Sequence, residues 1–136
     1  MTRQGPRKPV PDGHWEGRLD AARAYLTAAQ QLVLLADSGQ NMNPAVSQIV
    51  LCAIAYGDTL TAKRANVVNQ QDHASAPRLL REVMGNMLPN AQEARYRRLL
   101  APKDAVQYGA KAVALSEATV RLNDLEEFAN WVDSVL

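Results

Sequence analysis

The stretch from Val46 to Leu60 constrains this chain most. Val46, Ile49, Val50, Ala53, Ile54, Tyr56 and Leu60 make a broad apolar surface rather than a narrow stripe. A helix with that surface has to be central, with other elements packed around it. Asn43-Pro44 opens it, Asn as a cap for free amides and Pro where no donor is lost. Gly57 lies inside the helix, where glycine costs about 1 kcal/mol relative to alanine. Its presence predicts close approach of another backbone. Asp58 has two readings, a buried acceptor for a partner donor or an ordinary exposed acid. The helix is expected to fray near Asn66 to Asn69.

The flanking segments supply packing partners. Trp15, Leu19, Ala22, Leu26, Ala29, Val33 and Ala36 alternate spacings of four and three, which places them on one helical face. Ser38-Gly39 stops that first helix. After the polar turn Asn69 to His73, Ser75 is the expected cap of a third helix, with Pro77 in its first turn and Leu79, Leu80, Val83, Met84 and Met87 inward. Leu88-Pro89 closes it. Asn90 to Glu93 resembles a capping box ahead of a short fourth helix, which Pro102 ends. Tyr96, Leu99 and Leu100 point inward there, with Arg95, Arg97 and Arg98 around them. Lys103 to Leu115 reads as an ordered loop. Ser116 is the expected cap of the last helix, where Ala118, Leu122, Leu125, Ala129, Val132 and Leu136 repeat the four-three spacing. Phe128, Trp131 and Val135 widen that face. It serves either a contact in a homodimer or two neighbours inside the bundle.

The sum is an all-α fold: an antiparallel bundle of four main helices plus one short helix, over residues 14–136. Residues 1–13 read as a flexible tail, with Pro6, Pro9 and Pro11 and more basic than acidic groups. The chain's 136 residues, 47% apolar, suit one domain with a core, and aromatics at 5% with abundant Ala and Leu favour helices. The net charge of +1 creates no whole-chain field. Cys52 is the single cysteine, in an apolar run, so it reads as a small buried hydrophobe and an intrachain disulfide is excluded. No apolar run of about 20 residues and no signal-peptide region stand out, which sets the expectation of a cytoplasmic protein without a membrane partner.

His14 and His73 are the only histidines, and no HExxH or CxxC is present, so neither a zinc nor a di-iron site is expected. Glycine-rich phosphate loops are absent too, and no cofactor is expected. Charge is more informative. From Lys63 to Lys111 nine basic residues face four acids, whereas the last helix is acidic. A shared basic face would hold a nucleic-acid backbone. The competing reading is a set of solvated faces, or neutralisation of the basic helices by the acidic one.

Ala55-Tyr56-Gly57-Asp58 through Lys63-Arg64, His73 ahead of Ala76 to Arg81, and Leu99-Leu100 ahead of Lys103 to Gly109 together resemble the HEPN superfamily. Those are small helical bundles, often paired as dimers, of toxin–antitoxin, defence and RNA-processing systems. Active members are metal-independent ribonucleases with an Arg followed five positions on by a His. Here Lys103 and Tyr108 occupy those places. The resemblance implies Lys103, Tyr108 and His73 as candidate catalytic residues. It implies Asp58, Lys63, Arg64, Arg81, Arg98 and Asp104 as candidate binding residues. A tyrosine hydroxyl ordinarily titrates near about 10 and is a poor base at neutral pH. The competing role for Tyr108 is a packed ring with its hydroxyl bonded, Asp58 being one acceptor. The expectation is a homodimeric binding or regulatory module with an RNA or protein partner, and the alternative is a ribonuclease with an altered Lys/Tyr motif.

Overall fold

The computed structural model describes residues 7–70 and 72–136, with the side chains of Gln107 and Tyr108 outside the described part. The fold is mostly helical with one small ribbon. β1 (Arg7–Pro9) is followed by α1 (His14–Leu34), α2 (Asn43–Ala65) and β2 (Val67–Asn69). A 3-10 turn (His73–Ser75) leads into α3 (Ala76–Met84), and a second (Gly85–Met87) follows it. α4 (Asn90–Leu100), α5 (Lys103–Tyr108) and α6 (Leu115–Val135) complete the chain.

α2 is the central element. Every residue from Cys52 to Ala62 is buried, so three turns are enclosed on all sides. By length and composition α2 would also suffice to cross a membrane, contrary to the sequence expectation, but 78% of its apolar window is buried against the rest of this chain. Its buried hydroxyls are satisfied locally: Thr59 donates to the Ala55 carbonyl at 2.7 Å. α1 runs antiparallel to α2. The Cys52 thiol meets the Ala22 carbonyl at 3.2 Å, and further along α2 Asp58 meets Arg18, earlier in α1, at 3.1 Å. α6 packs on both α1 and α2, held at its C-terminal end by Arg64, which donates to the Val135 carbonyl at 2.9 Å.

Gly57 is needed for close packing, but a side chain rather than a backbone approaches it. A Cβ there would overlap the Tyr96 hydroxyl and ring. Tyr96 in turn stacks on Phe128 of α6, ring centroids 4.9 Å apart and 8° from parallel. Such stacking adds about 0.5–1.5 kcal/mol beyond the area buried. Phe128, expected to widen a face toward neighbours or a second copy, is wholly buried within this chain, and Trp131 beside it is half-buried.

Several expectations are corrected. Within the segment read as a flexible tail, Arg7–Pro9 pairs antiparallel with Val67–Asn69, in register Arg7 to Asn69 and Pro9 to Val67. Val10, Val68 and Ala62 form a second small core with Trp15, and Arg7 makes an ion pair with Glu82 of α3. α2 therefore does not fray: Asn66 turns left-handed at φ 52° and the chain re-enters as β2. Lys103–Tyr108 is a helical turn and not a loop, because its alternating period was too short to separate strand from helix. The expected caps also differ. Asn43 does not cap α2; its side chain accepts from the Val113 amide at 2.8 Å and donates to the Lys111 carbonyl, fastening the α5–α6 connection. α6 starts at Leu115 without a side-chain cap from Ser116.

Gly57→Ala should destabilise the protein by about 1–3 kcal/mol, the range for overpacked cores, although helix propensity alone favours alanine by about 1 kcal/mol. Urea unfolding midpoints of the two proteins check this; a stabilised Gly57→Ala would show that Tyr96 does not rest on this glycine.

Candidate functional site

The described surface holds a groove of about 400 Å³ between the His73 turn, the first turn of α3, the end of α4 and the start of α5. Asp72, His73, Pro77, Arg97, Lys103 and Asp104 line it. The sequence expectation had no means of placing His73 beside Lys103, thirty positions away. The fold does so because Pro102 ends α4 and redirects the chain into α5, beside the entry to α3.

The His73 turn is built by local hydrogen bonds. The Asp72 carboxylate accepts from the Ala74 amide at 3.1 Å, and the Asp72 carbonyl accepts from the Ser75 amide at 3.2 Å. Ser75 stands at the N-cap position of α3 as expected but makes no side-chain cap bond; its hydroxyl lies 2.8 Å from that carbonyl and 3.0 Å from Asn69 Oδ1. His73 is half-buried. Burial, and next the Lys103 ammonium, hold its imidazole below the ordinary histidine range, against the opposing pull of Asp72 and Asp104. The ring is therefore neutral at neutral pH and free to accept a proton or hydrogen bond. Lys103 and Arg97 supply positive charge along the same wall. Arg97 has one long ion pair, 3.7 Å to Glu93, and Lys103 has no ion pair among the described residues.

The other candidates from the sequence are not gathered here. Arg81 closes the α3–α4 corner: it donates to Glu93 at 2.7 Å, to the Gly85 and Leu88 carbonyls at 2.8 Å each, and to Asn90 at 2.9 Å. Arg98 and Arg95 both grip Asp124 of α6, at 3.2 and 3.3 Å. Burial raises the Asp124 carboxyl, but the hydrogen bonds from Arg98 and Arg95, and next their charge, outweigh it and hold the group below its ordinary value. Lys63 donates to a Leu136 oxygen at 3.2 Å and lies 4.7 Å over the Trp15 ring, while Arg64 caps the Val135 carbonyl. Much of the basic cluster is thus engaged with the chain itself, in the manner of helices neutralised by the acidic α6. Asp58 is buried and paired with Arg18, the acceptor reading rather than the exposed one. The Tyr108 side chain lies outside the described residues. Asp72 and Arg97 were missed as site residues. Asp72 adjoins His73 in sequence, which was a usable signal; Arg97 looked no different from Arg95 and Arg98. Among the described residues no group of three His, Cys, Asp or Glu side chains is placed to hold a metal ion.

No model of a known protein family matches the chain, and no curated protein matches it.

Asp58 yields a pH dependence. Burial pushes its carboxyl up to about 6 from 3.8, outweighing the Arg18 charge and hydrogen bond and the Asn69 amide, which lower it. Between these values the folded state holds a proton that the unfolded state has released, so this contribution to stability is full below about 3.8 and is lost as pH rises through about 6. Asp58→Asn should remove that downward slope. Denaturant midpoints on either side of the window measure it; equal slopes in the two proteins would show that Asp58 is not the titrating group.

Proposed function

We propose that this chain is a HEPN-like helical domain that binds RNA through the His73–Lys103 groove, contacting one or two phosphates rather than tracking a long backbone. The observation that carries this is the convergence of Lys103 and Arg97 with a neutral imidazole in one groove. Paired cations beside a neutral acceptor suit a phosphodiester with its adjoining 2′-hydroxyl. The short reach follows from the pairing of Arg81, Arg95 and Arg98 within the chain, which removes them from an extended basic track.

A second reading is favoured by the same juxtaposition. His73 is a better base than Tyr108 near neutral pH, and Lys103 beside it would stabilise developing charge on phosphorus. The groove would then cleave RNA without a metal, with His73 in the role that the resemblance gives to the residue at Tyr108.

Fluorescence anisotropy with a short single-stranded RNA tests the binding. Lys103→Ala and Arg97→Ala should each weaken it, and log affinity should fall with log salt at a slope of about −1.4, the value for two phosphate contacts on a single strand. A slope several times steeper, with affinity unchanged in both variants, would place the RNA elsewhere. Incubation of the same RNA in EDTA separates the two readings. Cleavage abolished by His73→Gln establishes the ribonuclease; intact RNA with retained binding leaves the binding module.

A further inference from the structure

The ribbon at the N-terminal end is joined to the groove by a continuous set of hydrogen bonds. β1 pairs with β2, and β2 ends at Asn69, opposite Arg7. The Asn69 amide nitrogen donates to the Asp72 carbonyl at 2.6 Å, and its Oδ1 lies 3.0 Å from the Ser75 hydroxyl. Those two residues bracket His73. The same Asp72 carbonyl accepts from the Ser75 amide, so one asparagine side chain ties both ends of the 3-10 turn to the end of β2. β2 itself is a strand of three residues with one partner. Such a short pair is not independently stable and depends on what docks it. Docking is supplied by Val10 and Val68 in the second small core, by the Val10 amide on the Asn66 carbonyl at 2.9 Å, by Asn66 on Asp12 at 3.0 Å, and by Arg7 on Glu82.

We propose that Asn69 is the positioning residue of the groove, and that through it the docked N-terminal strand sets where His73 stands against Lys103. The function of the groove rests on the reading given above; the mechanical link does not. With the link intact, His73 is held half-buried on the wall it shares with Lys103, Asp72 and Asp104. When the link is cut, the turn retains only its own short-range bonds, and the ring moves toward water and away from the ammonium. Any partner that lifts β1 from β2 would open the groove from a distance, which makes the N-terminal segment a control element of the site.

The test is an NMR titration of the His73 imidazole, assigned with His73→Gln, in the full chain. Wild type is compared with Asn69→Ala, Ser75→Ala and Val10→Asp. Asn69→Ala removes both tethers, Ser75→Ala one of them, and Val10→Asp undocks β1 without touching the turn. Far-UV circular dichroism establishes that each retains its helices. The expected result is an upward shift of the His73 titration toward the ordinary histidine value, largest in Asn69→Ala and present in Val10→Asp. An unchanged titration in folded Asn69→Ala and Val10→Asp overturns the proposal. Should Asn69→Ala fail to fold, Ser75→Ala and Val10→Asp carry the same decision. RNA anisotropy on the same samples keeps the two claims apart: a shifted His73 in the variants, with a wild type that itself binds no RNA, upholds the link and removes the groove's assigned ligand.

Discussion

The burial of α2 on every side is the constraint that the rest of the structure obeys. Its turns from Cys52 to Ala62 present no face to water, so α1, α6, α3 and α4 must each contribute surface to cover it. Burial on this scale is favourable by roughly 25 cal/mol per Å² of apolar area removed from water. It also fixes spacing. Where α4 crosses α2, Gly57 leaves a hollow into which Tyr96 fits, and Tyr96 then meets Phe128 of α6. One missing side chain on the central helix thereby sets the depth of a three-element aromatic contact.

Charge is arranged around that core in two ways. Most cations of the middle segment serve as fasteners. Asp124 takes Arg95 and Arg98, Glu93 takes Arg81, and the end of α6 takes Lys63 and Arg64. These pairs are partly buried but still reached by water, and solvent-screened pairs contribute little stability, a median of about 0–1 kcal/mol each, so their consequence is register rather than strength. The Arg81 fork, with its donors spread over a carboxylate, two carbonyls and an amide, is the most directional of them. Lys103, with no ion pair among the described residues, and Arg97, with one long pair to Glu93, are left beside His73, where their charge is available to a ligand.

The helices were largely legible in the sequence because apolar periodicity over long windows is a strong signal. α1 ends two residues before the expected Ala36, and α2 begins at the expected Asn43. Caps were read less well. Asn43, Ser75 and Ser116 each had the right chemistry for an N-cap, yet Asn43 and Ser75 bond to the chain elsewhere, since a polar side chain takes whichever partner the tertiary structure brings within reach. The ribbon was invisible. A strand of three residues that itself includes Pro9 carries no usable period, and pairing across more than fifty positions is a property of the folded chain alone.

The sequence by itself determined that this chain is mostly helical, that α2 lies at its centre, and that its middle is basic while its last helix is acidic, because these follow from local order and composition. Only the tertiary structure decided which of those charges cancel and which remain open. His73 and Lys103 share a groove, Asp58 lies buried against Arg18, and Arg98 is spent on Asp124, since each of these depends on distances through space between residues far apart in the chain.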